Sequence, residues 1–319
     1  MPRTAVALCL ALLCLGASAQ GYPSRPVRVI VPFGPGGPDA VARLLGAQLQ
    51  AQMGQHFLVE NRPGANGLIG HEAVAKSAPD GYTLMITTTG FASGPAMYKK
   101  LPYDPEKDFA PVTNLVTNDG MFIAVNPALP VRSLAELVEL GRKPETRLAF
   151  GSPGFGNTLH LAGELFNHRA GTHMVHVPYK GAGPAVAAAI AGETQVMFST
   201  PQAIIAHLKS GRLRALAYTD SKRHPMLPDV PTAAEAGLPG YQMHGGWFGM
   251  FAPANTPTDI LMKLHSEVRN AFANTSFRER LAALGADPVG DSPAEFKAYV
   301  SAEIRKYAEI VRLAGIRQE

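Results

Sequence analysis

Two stretches of this chain combine glycine, proline and small polar residues in a way that suits the capture of an anion by main-chain groups. The first is Pro32-Phe33-Gly34-Pro35-Gly36-Gly37-Pro38-Asp39, and the second is Gly151-Ser152-Pro153-Gly154-Phe155-Gly156-Asn157-Thr158. Each follows a short apolar run and precedes an amphipathic one, so each reads as strand, glycine-rich turn and helix start. The N–H groups there are unpaired and sit at the positive end of the helix dipole, which favours a carboxylate or phosphate. Nucleotide chemistry fits neither turn. The dinucleotide fingerprint needs glycine where Asp39 stands, and no lysine follows the second turn in P-loop spacing. A nucleophile elbow fails as well, because Phe150 occupies the place of its first glycine. Ser152 therefore reads as a hydrogen-bonding group rather than a nucleophile.

Other reactive types carry less. His168, His173 and His176 are close in sequence, but a strand over His173–Val177 would turn His173 and His176 to opposite faces. No carboxylate or cysteine joins them at ligand spacing, so no metal is expected. Lys180 stands in a third strand-to-helix turn, Val177 through Pro184, where a solvated lysine and an anion contact are both open readings. Trp247 with Phe248 and Phe251 suits packing or a hinge better than a ligand platform.

These groups need a frame, and the hydrophobic periodicity supplies one. Val27–Val31, Phe57–Glu60 and Tyr82–Thr87 read as strands separated by helices over 39–53 and 68–76, with Asp39 as the cap of the first helix and Gly54 as its stop. The alternation restarts with strands at Met121–Val125, Arg147–Gly151, His173–Val177, Thr194–Phe198 and Leu213–Thr219, separated by helices including Asn157–Ala170 and Ala182–Ala191. A last strand, Gly245–Ala252, leads into helices Thr258–Ala273, Phe277–Leu284 and Pro293–Ala314. Alternating strands and helices imply parallel α/β sheets. The terminal helices must cover one of them, and the simplest path returns them to the first unit. The chain would then cross between units near Met121 and near Trp247, making a hinge with a cleft beside it.

Composition limits the rest. The 319 residues suffice for two domains, and 46% hydrophobic with 17% charged residues describes a packed protein. The formal charge of +4 comes from scattered lysines and arginines without interleaved aromatics, so nucleic acid is not an expected partner. At the N-terminus, Arg3, the apolar run Ala5–Leu15 and Ala17-Ser18-Ala19 form an export signal with cleavage near Ala19. Both cysteines, Cys9 and Cys14, fall inside it, so the exported chain is expected to carry neither disulfide nor thiol chemistry.

Several stretches taken together are recognisable. They include Pro23-Ser24-Arg25-Pro26, Pro32 to Arg43, Val59-Glu60-Asn61-Arg62-Pro63-Gly64-Ala65-Asn66-Gly67, Ala78-Pro79-Asp80-Gly81-Tyr82, Gly151 to Leu161, Val177 to Pro184 and Leu227-Pro228-Asp229-Val230-Pro231-Thr232. Over nearly the whole exported chain the sequence resembles the Bug family, periplasmic receptors of tripartite tricarboxylate transporters. The resemblance implies a type II periplasmic-binding-protein fold: two α/β domains, a ligand cleft and two hinge crossings. The expected division is a signal over 1–19, domain 1 from 20–121 plus 248–319, and domain 2 over 122–247.

The resemblance also implies a small carboxylate or amide-like solute. Carried over, the ligand-binding residues are Phe33, Gly34, Gly36, Gly37 and Asp39 in the first turn and Ser152, Gly154, Gly156, Asn157 and Thr158 in the second. Thr88 joins them by its place at the end of the third strand. The first turn departs from the family pattern, with Gly34 for a proline and Pro38 after only two glycines. Ser199 stands where the family often has aspartate, which is expected to weaken selection for an amino group. The reading is a monomeric exported binding protein without catalysis, cofactor or metal, handing its solute to membrane subunits of a transporter. Its rivals are a sensor subunit of a membrane signalling system and an exported hydrolase.

Overall fold

The computed structural model describes residues 21–143 and 145–313, together with 316 and 318. The expected export signal over 1–19, with both cysteines, lies outside the described residues. Among the described residues no helix is long and apolar enough to cross a membrane.

Two sheets organise the chain. The first has the order β11-β4-β10-β3-β1-β2, built from β1 (Val27–Val31), β2 (Phe57–Asn61), β3 (Thr83–Thr88), β4 (Phe109–Asn118), β10 (Gly246–Pro253) and β11 (Asp287–Pro288). β1 pairs in parallel with both β2 and β3, placing Val29 between Val59 and Leu84. β10 is antiparallel to β3 and β4. The central strands are buried on both faces, which explains their continuous apolar runs. Helices α1 (Gly37–Met53), α2 (Leu68–Ala75) and α3 (Gly90–Met97) connect the first strands. After β10, α8 (Thr258–Ala273), α9 (Thr275–Ala283) and α10 (Pro293–Leu313) pack back onto this same sheet, α8 against α1 and α10 against α3 and β4.

The second sheet has the order β7-β6-β8-β5-β9. Its strands are β5 (Phe122–Val125), β6 (Ala149–Ser152), β7 (Val175–Pro178), β8 (Val196–Ser199) and β9 (Arg214–Tyr218), covered by α4 (Leu134–Gly141), α5 (Thr158–Ala170), α6 (Ala182–Ala191) and α7 (Pro201–Lys209). The chain crosses from first sheet to second between β4 and β5 and returns between β9 and β10. The crossings are tied together: the Met121 N–H donates to Thr219 Oγ1 at 2.9 Å, and the Gly245 N–H donates to the Asn118 carbonyl at 2.9 Å.

The structure departs from the sequence expectations in several places. β4 and α3 are additional elements. α1 starts at Gly37 with Gly36 at the cap, so Asp39 lies inside the first turn rather than capping it. Proline is at home there, since Pro38 has no N–H to lose. Asp39 instead accepts from Arg43 Nε at 3.1 Å and from Asn61 Nδ2 at 2.9 Å, and Asn61 Nδ2 also donates to the Phe33 carbonyl. That set ties the turn to the end of β2. β7 begins at Val175, so His173 lies outside the strand and the opposite-face argument for it and His176 lapses.

Candidate functional site

β1, β3, β6 and β8 all end toward the seam between the two sheets, and a helix starts just beyond each end. This is where open α/β sheets place their ligands. A cavity of about 40 Å³ lies there, open outward on one side. Its wall includes Phe33, Gly37 and Pro38 from the first turn, Thr88 and Thr89 after β3, and Pro153, Asn157, Thr158 and Leu159 from the second turn. Ala182, Thr200, Gly245, Trp247 and Phe248 complete it.

The electrostatics of this wall are unusual in what supplies them. None of those lining residues carries a charged side chain. Yet Gly37 opens α1, Thr89 is the N-cap of α3, Asn157 is the N-cap of α5, Ala182 opens α6 and Thr200 is the N-cap of α7. Five helix N-termini therefore converge on one small space. Each is worth about 0.3–1 kcal/mol to a nearby anion, and up to about 2 kcal/mol when partly buried.

The second turn is held from several sides. Asn157 Oδ1 accepts the Leu159 N–H at 3.0 Å, while its Nδ2 donates to Asn66 Oδ1 at 3.2 Å across the seam. Asn66 has a left-handed backbone (φ 51°), which asparagine tolerates better than most residues. Ser93 Oγ donates to the Gly156 carbonyl at 2.6 Å, and the Tyr98 hydroxyl donates to the Phe155 carbonyl at 3.0 Å. From below, Ser152 Oγ lies 2.6 Å from His176 Nε2, and His160 Nδ1 accepts the Gly156 N–H at 3.1 Å. The two imidazoles lie against each other with centroids 4.0 Å apart. Burial pushes His160 down to about 3, helped by His176, and burial pushes His176 down to about 4. Both are neutral near pH 7.

Ser152 and His176 are in hydrogen-bond reach, as a nucleophile and base would be, but Ser152 is fully buried and does not line this cavity. A general base works best with a pKa near the operating pH, and His176 is far below it. The pair secures the turn. Replacing Asn157 by alanine removes a helix cap and a cross-seam bond together. This change is expected to cost about 1–2 kcal/mol in chemical denaturation; a loss under about 0.5 kcal/mol would show that the cap contributes little.

Of the residues expected at the site, Phe33, Gly37, Thr88, Asn157 and Thr158 line the cavity. Gly34 and Gly36 instead face the turn before α6: the Gly34 N–H donates to the Lys180 carbonyl at 3.0 Å, and a Cβ on Gly36 would meet Gly183 N at 3.2 Å. Asp39 braces the first turn, Ser152 braces the second, and Gly154 and Gly156 pack on Asn66 and Met97. Ser199 is buried at the end of β8, and its Oγ has no protein partner. Thr200 and Thr89 were missed by sequence reasoning. Thr200 had a signal, since a threonine followed by proline is a helix start. Trp247 both lines the cavity and packs on Phe296, with centroids 5.4 Å apart.

Comparison with known proteins places this geometry. A profile of the tripartite tricarboxylate transporter family receptors matches residues 41–316. The structure of the periplasmic binding protein BugD is similar, with a TM-score of 0.88 and 33% identity over 93% of this chain and 100% of that one. Rpa4515 from R. palustris, solved with adipate, gives a TM-score of 0.89 and 36% identity over 93% and 100% of the two chains. MatC from Rhodopseudomonas palustris, with bound malate, gives a TM-score of 0.85 and 36% identity over 91% and 100%. The chain has the fold of these solute-binding proteins and belongs with them to the family of Bug-type tripartite tricarboxylate transporter receptors, which are periplasmic binders.

Proposed function

We propose that this protein captures a small organic acid in the cavity at the seam and delivers it to the membrane subunits of a tripartite transporter, without catalysis. The observation that carries the reading is the convergence of five helix N-termini on a space lined by no charged side chain. Such a site holds a carboxylate by main-chain dipoles and threonine hydroxyls and offers a cation nothing. Malate and adipate in two similar structures belong to the same chemical class. The division into domain 1 (20–121 plus 248–319) and domain 2 (122–247), hinged at the paired crossings, follows from the same reading. So do export with cleavage near Ala19 and work as a monomer.

Catalysis is left out because Ser152 is fully buried, neither Ser152 nor His176 lines the cavity, and the imidazole is poorly basic. A signalling role would use the same cleft, and it parts from transport in cells: deletion would abolish induction of a response while leaving uptake intact. The first test is a thermal-shift series with mono-, di- and tricarboxylates, amino acids and amides. A ligand at one hundred times its Kd adds about 2.7 kcal/mol of stability. One or more carboxylates are expected to raise Tm by several degrees. With serine at 199 and no acid in the wall, aspartate should bind more weakly than succinate. No shift from any acid would sink the reading.

A further inference from the structure

A second cavity adjoins the first and shares the wall made by Phe33 and Pro153. Both halves of the molecule build it: the turn Gly64 through Gly67 and Tyr98 come from the first, and Gly154, Phe155 and Pro178 through Lys180 from the second. The two spaces differ in size. Water-sized centres have about 290 Å³ in the second cavity against about 40 Å³ in the first. One such group occupies roughly 10–15 Å³ by this measure, so the first space suits a carboxylate with a carbon or two. The remainder of any longer acid needs room beyond Phe33 and Pro153, and the second cavity is the adjoining room between the halves.

The chemistry of its wall is also different. Phe33, Tyr98, Phe155 and Tyr179 supply aromatic surface, and Lys180 is the single charged residue lining either space. The backbone of Lys180 is fixed, because its carbonyl accepts the Gly34 N–H at 3.0 Å across the seam. Its side chain is exposed and forms no ion pair or side-chain hydrogen bond among the described residues. An ammonium placed this way is available to a guest.

We propose that the second cavity receives the far end of the solute and that Lys180 makes it select a second negative group there. This rests on the carboxylate reading above and adds a division of labour. Helix N-termini hold one carboxylate without any cation, and a single mobile cation on an aromatic wall sets what the other end must be. Because both halves line the second cavity, filling it also favours the closed arrangement.

The test is calorimetric titration of the purified protein with butyrate, valerate and hexanoate against succinate, glutarate and adipate, for wild type, Lys180→Met and Lys180→Arg. In the wild type the best-fitting dicarboxylate is expected to bind at least tenfold more tightly than the monocarboxylate of equal carbon number. Lys180→Met should reduce that ratio to threefold or less, chiefly by weakening the dicarboxylate, and Lys180→Arg should restore most of it. An unchanged ratio in Lys180→Met, an equal loss for both acid classes, or no wild-type preference would each overturn the proposal. Failure of every acid to bind any of the three proteins, with all three folded, would instead remove the carboxylate reading beneath it.

Discussion

Gly183→Ala is expected to weaken solute binding at least tenfold while leaving the unliganded protein as stable as before, or more so. Gly183 is the second residue of α6, and its N–H is one of the helix's orphan donors. It is satisfied from the other half of the molecule, by the Pro35 carbonyl at 2.8 Å. The reciprocal bond runs from the Gly34 N–H to the Lys180 carbonyl, so the two turns are joined backbone to backbone. Glycine allows this approach. A Cβ on Gly183 would fall inside contact distance of the Pro35 oxygen, and one on Gly181 would meet Gly34 N at 2.8 Å. Gly181 also has φ 135°, where an alanine would be strained for a second reason. Gly183 is helical, and there alanine is intrinsically favoured by about 0.8–1 kcal/mol. The proposed hinge parts the two turns when the cleft is empty, so the substitution separates two effects: it improves the isolated helix and obstructs the joined turns of the closed form. Thermal unfolding without ligand should show an unchanged or higher Tm. Titration with the acid that best stabilises the wild type should show the weaker binding. Scattering should show no compaction of the variant when that acid is added. Wild-type affinity in Gly183→Ala would mean that the joined turns are not needed for binding.

That role for the glycines marks the limit of what residue types alone disclose. The strand–turn–helix units around Gly34 and Gly154 were readable because β-branched runs, glycines and helix starts are local signals. The partner of each turn was not, since Gly34 meets Lys180 and Asn66 meets Asn157 through contacts spanning much of the chain. β4 was unreadable for a similar reason. Its sequence, Phe-Ala-Pro-Val-Thr-Asn-Leu-Val-Thr-Asn, contains a proline and two asparagines, all depleted in strands. It is a strand because β10 and β11 pair on either side of it and the Asp291 carboxylate accepts the Asn114 N–H at 2.7 Å. α3 holds two glycines and a proline, a poor helix by propensity. Nearly all of it is buried, and tertiary packing decides its conformation. Thr89 reached the site only through that helix. Asp39 misled for a more local reason: an acid after glycines reads as a cap, but Gly37 and Pro38 are themselves the first residues of α1.

Lowering the pH from 7 to 4.5 is expected to reduce Tm by at least about 5 °C, and the histidines explain why. His71 is wholly buried between Tyr103 Oη at 2.8 Å and Thr87 Oγ1 at 2.7 Å, and burial pushes it down to about 3. His160 is likewise pushed down to about 3 and His176 to about 4. An unfolded histidine titrates near 6.5. Between that value and 3–4 the unfolded chain therefore binds protons that the folded chain refuses, so stability falls as pH falls. Above about 6.5 these groups contribute no slope. One unit is worth about 1.4 kcal/mol, so His71 alone accounts for roughly 2–3 kcal/mol at pH 4.5. His160, buried like His71, adds a comparable amount, and His176, partly open to solvent and less strongly shifted, adds less. The carboxylates held below their usual range by ion pairs, such as Glu60 and Glu267, lose their contribution only at lower pH. Asp291 and Glu164, raised by burial, act in the opposite sense. The window from 6.5 to 4.5 thus belongs to the imidazoles. Unfolding followed by circular dichroism at half-unit steps would trace it, and imidazole proton resonances should show His71 still neutral at pH 5. A flat Tm over that window would refute the assignment. Two of these histidines hold Ser152 and the Gly156 N–H beneath the second turn. In the folded protein these two imidazoles stay neutral until the pH nears 4, so the turn they hold should stay intact across the window in which Tm falls and loosen only below it.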